Sequence, residues 1–374
     1  MPYNSQWTGQ QIDDAIGKVR DNTVNASAVN VSFTPGDSGL GSTNVQDALE
    51  ELAGRPSGGG SPRTYRVVVG TSTAGWTEDD CDYFCDGTAD QTTISQAIAA
   101  LPEEGGVVYF LDGTYSLTST LTISSDNITL LGNHQSSILA NQGSAAVLVS
   151  GGNNFAMQNL LVTDERSSGS QATVVINGAN CRIIGCRFAN LNVLSLDISG
   201  QDALLQNTDF AAAQITATTG THNGARVWGC SRTGGDGSTL TWLQVSGNDI
   251  DIIGNYVCNA YTGINTQACQ KVNIINNYIS NCNVGILTSG DVIGHNILNN
   301  MILNFVAFGI FTQSMNGQYI NVTGNYVALD DTIQTPSGTP IAIAGERNVV
   351  TSNITPGKQI TTMGSRVLID NNSY

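Results

Sequence analysis

Between Leu131 and Gly324, short apolar runs end nine times in a glycine or asparagine at a nearly fixed interval. The turn residues are Gly132, Asn159, Gly185, Asn207, Gly229, Gly254, Asn276, Asn299 and Gly324, with gaps of 22 to 27 residues. Let the residue after each turn be position zero. Positions −5, −3 and +2 are then mostly apolar, as in Ile250, Ile252 and Val257 or Val272, Ile274 and Ile279. Position −4 is mostly polar, as in Arg182, Arg226, Asp251, Asn273, Asn296 and Asn321. Alternation with period two is a strand pattern, interrupted here by a bend. Glycine and asparagine enter the left-handed backbone region at low cost, which suits a coil that bends at the same place in every turn. Another strand follows at Gly263-Ile264, Gly285-Ile286 and Gly309-Ile310. Three short strands per coil predict an all-β chain, a right-handed parallel β-helix whose units are stable only when stacked. A leucine-rich repeat has a similar period, but its spaced leucines around one asparagine are absent.

Position zero reads Asn133, Leu160, Cys186, Thr208, Cys230, Asn255, Asn277, Asn300 and Asn325. The last four predict an inward ladder of amides that hydrogen-bond along the axis. Outside the repeat, residues 1–53 read as two short helices around a β-rich loop, capped at Thr8 with Gln11 and at Thr43 with Gln46. Their apolar stripes are too small for isolated folding, which predicts self-association. Residues 54–63 hold Gly58-Gly59-Gly60 and predict a flexible linker. Residues 64–374 form the expected β-helix domain, with a strand from Tyr65 to Val69 and a capping helix near 92–101. At the far end Asn371-Asn372 looks like a last turn, Asp330 to Pro340 breaks the register, and no cap is evident. An uncovered strand edge predicts a partner chain or a fold-back.

The balance of 30 acidic to 14 basic residues, net −16, argues against nucleic acid and anionic membrane as partners. No stretch is long and apolar enough to span a bilayer, and the polar opening Met1-Pro2-Tyr3-Asn4 shows no secretory signal. Cys186 and Cys230 share position zero two coils apart, ~10 Å at ~4.8 Å per coil, too far for a disulfide. Most of the eight cysteines are therefore expected to be reduced and buried, although Cys81 and Cys85, which lie before the solenoid, could form a pair. Two cysteines do not make a metal site.

Glycoside hydrolysis generally needs two carboxylates, ~5–5.5 Å apart for retention and ~6.5–9.5 Å for inversion. No adjacent coils supply such a pair at −4, −2 or +1. Asp202 and Asp249 share offset −6 two coils apart, near the inverting limit, and Asp209 stands outward at +1. These three are the candidate catalytic acids, set against the plainer reading of solvated turn residues. Arg182 and Arg226 face outward with no acid cluster expected beside them. No cofactor is implied, and Asp79, Asp80 and Asp82 are the one place for a divalent cation. His295 falls at an inward offset, while His134 and His222 lie in turns. Tyr256, Tyr278 and Tyr326 all stand at +1, a row suited to stacking on sugar faces, and Trp242 reads as part of a loop overhanging that face. Trp228, Ile253, Ile275 and Leu298 form an outward stripe at −2, expected to be a subunit interface.

Two segments, Thr8-Gly-Gln-Gln-Ile-Asp-Asp-Ala-Ile16 and Ser42-Thr-Asn-Val-Gln-Asp-Ala-Leu-Glu-Glu-Leu52, resemble N-terminal modules of tail fibre and tailspike proteins of tailed bacteriophages and prophages. Cys85-Asp-Gly-Thr-Ala-Asp90, Ile94 to Leu101, Gly105-Gly106 and Gly113-Thr-Tyr115 resemble the entry to a pectate-lyase-like β-helix domain. The resemblance implies a homotrimer in the virion tail, made in the host cytoplasm without a signal peptide. It would attach through residues 1–53 to other tail or baseplate proteins, and its β-helix would bind bacterial surface polysaccharide for host recognition. The alternatives are a depolymerase of capsule, O-antigen or wall polysaccharide, and a purely structural tail component. Asn207-Thr208-Asp209 matches a fragment of the polygalacturonase signature, whose Gly-His-Gly and Arg-Ile-Lys elements are absent.

Overall fold

The computed structural model describes residues 10, 44–54, 65–166, 171–189, 193–216, 223–232, 240–313, 316–329 and 338–374, with side chains at all but 51–54. The chain divides into two compact units, Met1–Arg63 and Thr64–Tyr374. In the first, helix α1 (Val45–Gly54) starts from a cap at Asn44, one residue later than the pattern predicts. Asn44 Oδ1 accepts from the Asp47 N–H at 2.8 Å, and its amide donates to the Asp47 carboxylate at 2.7 Å. A side-chain oxygen that satisfies an otherwise unpaired N–H defines a helix start. The predicted helix after Thr8 and the linker beyond Gly54 lie outside the described residues, Gln10 excepted.

In the second unit three parallel sheets of 16, 11 and 5 strands wind into a solenoid. One coil runs through Asn248–Ile253, Tyr256–Cys258 and Thr262–Gln267, and the next repeats it at Gln270–Ile275, Tyr278–Ser280 and Val284–Ser289. Val227, Ile252, Ile274, Ile297 and Val322 stand in register at −3 and are all fully buried. Burying each such side chain contributes ~1.5–3 kcal/mol, and a lone coil could bury none of them. Helix α2 (Gln91–Ala99) seals one end of this core. It packs on Tyr83–Cys85 and Leu121–Ile123, the outermost strands of two sheets, and buries Ile94 and Ala97 there. At the other end Ile369 pairs with Val350 in the same inward column, yet it is 39% exposed.

Eight of the nine predicted turn residues are left-handed, with φ between 49° and 70°. Gly132 is not. It is needed for room, since a Cβ there would lie 2.5 Å from the Asn159 carbonyl oxygen. The following coil also departs from the repeat: Asn133 is exposed rather than inward, and residues 133–136 bulge out before the strand resumes. The amide ladder has six rungs, Asn255, Asn277, Asn300, Asn325, Asn353 and Asn372. Each Nδ2 donates to the Oδ1 of the next rung at 2.9 to 3.0 Å. Of the two rungs beyond the predicted four, Asn372 follows Asn371, the last turn read from the sequence, while Asn353 escapes the pattern because Ser352, with φ 55°, takes the turn position ahead of it.

A second column of left-handed residues stands at −6, five residues before the first. It comprises Asn127, Asn154, Asn180, Asp202, Gly224, Asp249, Lys271, Gly294, Tyr319, Arg347 and Arg366, with φ between 53° and 71°. All eight thiols are free, including Cys81 and Cys85. Burial pushes Cys181, Cys186, Cys230 and Cys269 up to about 12, so they stay protonated and unreactive. No helix among the described residues is long and apolar enough to cross a membrane.

Candidate functional site

Because strand side chains alternate, the residues at −2 and +1 both face outward on either side of the first bend. Parallel pairing aligns the +1 residues into one column: Arg187, Asp209, Ser231, Tyr256, Tyr278, Met301 and Tyr326. The column changes character along its length, charged and hydroxylic first, then aromatic and apolar. At −2, Trp228, Ile253, Ile275 and Leu298 stand in register as the sequence predicts.

The polar end of the +1 column lies in a cleft of about 550 Å³ lined by His134, Gln135, Arg187, Asp209 and Ser231 over the bends at Gly185, Asn207 and Gly229. Arg187 Nε is 3.8 Å from the Asp209 carboxylate, and Ser231 donates to that carboxylate at 3.3 Å. Arg187 Nη1 donates to Gln135 Oε1 at 3.1 Å. Gln135 therefore reaches over the coil carrying Leu161, which lies between them in the stack. The 133–136 bulge is anchored from below: Asn133 donates its N–H to Ser137 Oγ at 2.9 Å and its amide to Asp112 at 2.9 Å. Ser137 in turn donates to the Phe110 carbonyl at 3.0 Å.

Beyond Ser231 the +1 column continues to Tyr256, whose ring lies parallel to Tyr278 with centroids 4.9 Å apart. The predicted row is present in register, with Tyr256 and Tyr278 covering one face of each other, Met301 between them and Tyr326, and the small Ser231 on the other side of Tyr256. Trp242 is corrected. It does not overhang the surface but is fully buried inside Thr241–Val245, stacked on Phe210 with centroids 5.0 Å apart, and out of reach of any glycan.

The three candidate acids do not meet. Asp209 belongs to the cleft at the first bend, whereas Asp202 and Asp249 line a second cleft of about 510 Å³ along the −6 column. Asp251, Arg226, Lys271, Asn273 and Asn296 line it with them. Arg226 therefore does have acids beside it, with Asp251 its strand partner on the next coil. Lys271 lies 3.8 Å from Asp249, and Asp251 accepts from Asn273 at 2.8 Å. The shared offset of Asp202 and Asp249 has a backbone cause, since both occupy the left-handed bend, where aspartate is tolerated.

No group of three His, Cys, Asp or Glu residues placed to hold a metal ion occurs among the described residues. Asp80 accepts from the Thr77 N–H and hydroxyl at 2.9 and 2.7 Å, and Asp82 from the Val68 N–H at 2.7 Å. These bonds tie both carboxylates to local backbone. His295 is fully buried, with Nδ1 3.4 Å from the Ile293 carbonyl, and His222 lies outside the described residues.

No family profile matches the sequence, and no curated protein matches it either. Solved structures do match the fold. The Dettilon tailspike protein is 17% identical, with a TM-score of 0.63 over 94% of this chain and 73% of its own. A mutant tailspike protein of E. coli bacteriophage HK620, solved with a pentasaccharide, is 12% identical, with a TM-score of 0.62 over 96% and 71%. DFA-IIIase from Arthrobacter chlorophenolicus A6 is 12% identical, with a TM-score of 0.60 over 82% and 94%. The solenoid has phage tailspikes among its structural neighbours. At these identities the likeness carries the architecture alone.

Sequence reasoning missed Gln135 and Arg187, although Arg187 and Asp209 share offset +1 on adjacent coils and could have been found that way. It also missed Asp197, which stands outward on the eleven-stranded sheet between Val175 and Gln214. Burial raises its carboxyl above the usual range.

Proposed function

We propose that this chain is a tail-associated phage protein that binds bacterial surface polysaccharide, and that the cleft at the first bend is its glycan site. The observation that carries this reading is a cleft whose Arg187, Asp209 and Ser231 present donors and acceptors together, with the exposed ring of Tyr256 next to Ser231 in the same column. An aromatic face beside paired polar groups matches a sugar, which has apolar ring faces and a hydroxylated rim. The tailspike neighbours, one solved with a pentasaccharide, agree with it. In the same reading the −2 stripe from Trp228 to Leu298 is the interface of a homotrimer, and residues 1–53 attach it to the virion. The test is binding to a panel of purified capsular and O-chain polysaccharides. Tyr256→Ala should weaken binding by about tenfold or more, a loss of at least ~1.4 kcal/mol, and an unchanged affinity would remove the cleft from the reading.

A second reading, depolymerisation, rests on Asp202 and Asp249 sharing the second cleft with Asp251 and Arg226. It requires release of reducing ends from the bound polysaccharide, abolished by Asp202→Asn or Asp249→Asn.

A further inference from the structure

Along the solenoid axis the lining of the cleft at the first bend runs from the 133–136 bulge to Ser231, with Tyr256 next in the column. On one side stands the 133–136 bulge, whose Gln135 is held over the intervening coil by Arg187 at 3.1 Å. On the other stands Tyr256, 47% exposed and backed by the parallel ring of Tyr278. From Arg187 to Tyr256 the column rises three coil steps, through Asp209 and Ser231. At ~4.8 Å per step this is ~14 Å, room for about two or three pyranose rings. A linear polymer lying along the axis would have to rise over the bulge at one end and over the Tyr256 ring at the other.

We infer that the cleft takes the end of a glycan, either a chain terminus or the tip of a branch, and not an internal stretch. This rests on the glycan reading above and adds to it the part of the polymer that is recognised. The chemistry agrees. Every glycosidic link consumes a hydroxyl, so a terminal sugar offers more of them than an internal one. The cleft is correspondingly polar: Arg187 and Asp209 set a donor and an acceptor 3.8 Å apart, and the Ser231 hydroxyl stands one coil further on. Next in the column, Tyr256 offers an apolar face, against which the last ring that fits would stack. The remainder of the chain leaves away from the protein surface.

The dependence of affinity on glycan length tests this with the unmodified protein. A polysaccharide bound in the panel is cut by partial acid hydrolysis into oligosaccharides of graded length, each titrated by calorimetry against the full chain. End recognition predicts that affinity per glycan end levels off by about three sugars and changes by less than about twofold beyond them. A gain of about tenfold or more between three and eight sugars would show an extended groove and overturn the inference. Lowering the wall with His134→Gly and Gln135→Gly should create that length dependence where the native chain lacks it. Failure of every polysaccharide in the panel to bind would sink the glycan reading itself, and this inference with it.

Discussion

The solenoid bends at −1 and at −6 with the same left-handed backbone, yet the two columns use different residues. The first uses only glycine and asparagine until Ser352. The second starts with asparagines and then admits Asp202, Asp249, Lys271, Tyr319, Arg347 and Arg366. A long side chain held at positive φ is strained, and glycine would avoid the cost. What the second column obtains in return is outward chemistry. Lys271 lies 3.8 Å from Asp249, and Arg347 donates to the Tyr319 hydroxyl at 3.0 Å. The first bend meets its backbone demand with the smallest suitable residues and leaves polar function to its neighbours at zero and +1. One geometric requirement can therefore be met cheaply or with decoration.

The largest expected effect tests what stands behind the first bend. Asn300 donates to the Ile274 carbonyl at 2.9 Å and accepts from the Asn277 N–H at 2.9 Å. Asn300→Ala leaves both groups buried and unpaired, at a cost of roughly 3–5 kcal/mol in denaturant unfolding; a loss under about 1 kcal/mol would mean that water replaces the rung.

The next effect belongs to His295, inward neighbour of the second bend. Burial lowers its pKa from the ordinary 6.5 to about 4, so the fold holds the imidazole neutral. The unfolded chain takes up the proton first as pH falls. The contribution is therefore intact above about pH 6.5 and is lost as pH drops toward 4, up to roughly 3 kcal/mol. His295→Val, matching Val272 in the preceding coil, should flatten the pH dependence of the melting temperature over that window.

A paired substitution compares the two bends directly. At Gly254 nothing lies within 4 Å of an added Cβ, so Gly254→Val isolates the backbone conformation, with an expected loss of ~1–2 kcal/mol. Lys271→Gly goes the other way. Relief of the left-handed lysine, less the entropy that glycine loses on folding, should stabilise by ~0.5 kcal/mol. Equal signs for the two substitutions would mean that the columns do not share one requirement.

The first bend was legible in the sequence because few residues tolerate it, and a short alphabet at a fixed period stands out. The second was hidden by its variety, since Lys271, Tyr319 and Arg347 look like ordinary surface residues. Columns close to the legible bend, from Trp228 to Leu298 and from Tyr256 to Tyr326, followed directly from counting. Trp242 did not, because counting loses phase across the connection from Arg232, and only packing against Phe210 sets its direction. The bulge at 133–136 escaped for a similar reason. Gly132 resembles the other turn residues but is retained for a close backbone approach, so the register there was assigned as if the repeat continued.

The asparagine stack also has an internal arrow. Within it each backbone N–H and one hydrogen of each side-chain amide point to the next rung's oxygen, from Asn255 toward Asn372, while the second amide hydrogen turns back to a carbonyl of the preceding winding. A missing oxygen thus strands hydrogens on the winding before it, while the winding after it merely gains a vacant lone pair, which a carbonyl tolerates more readily than an orphaned N–H. Damage at any one level should accordingly spread backward along the stack, toward the end sealed by helix α2.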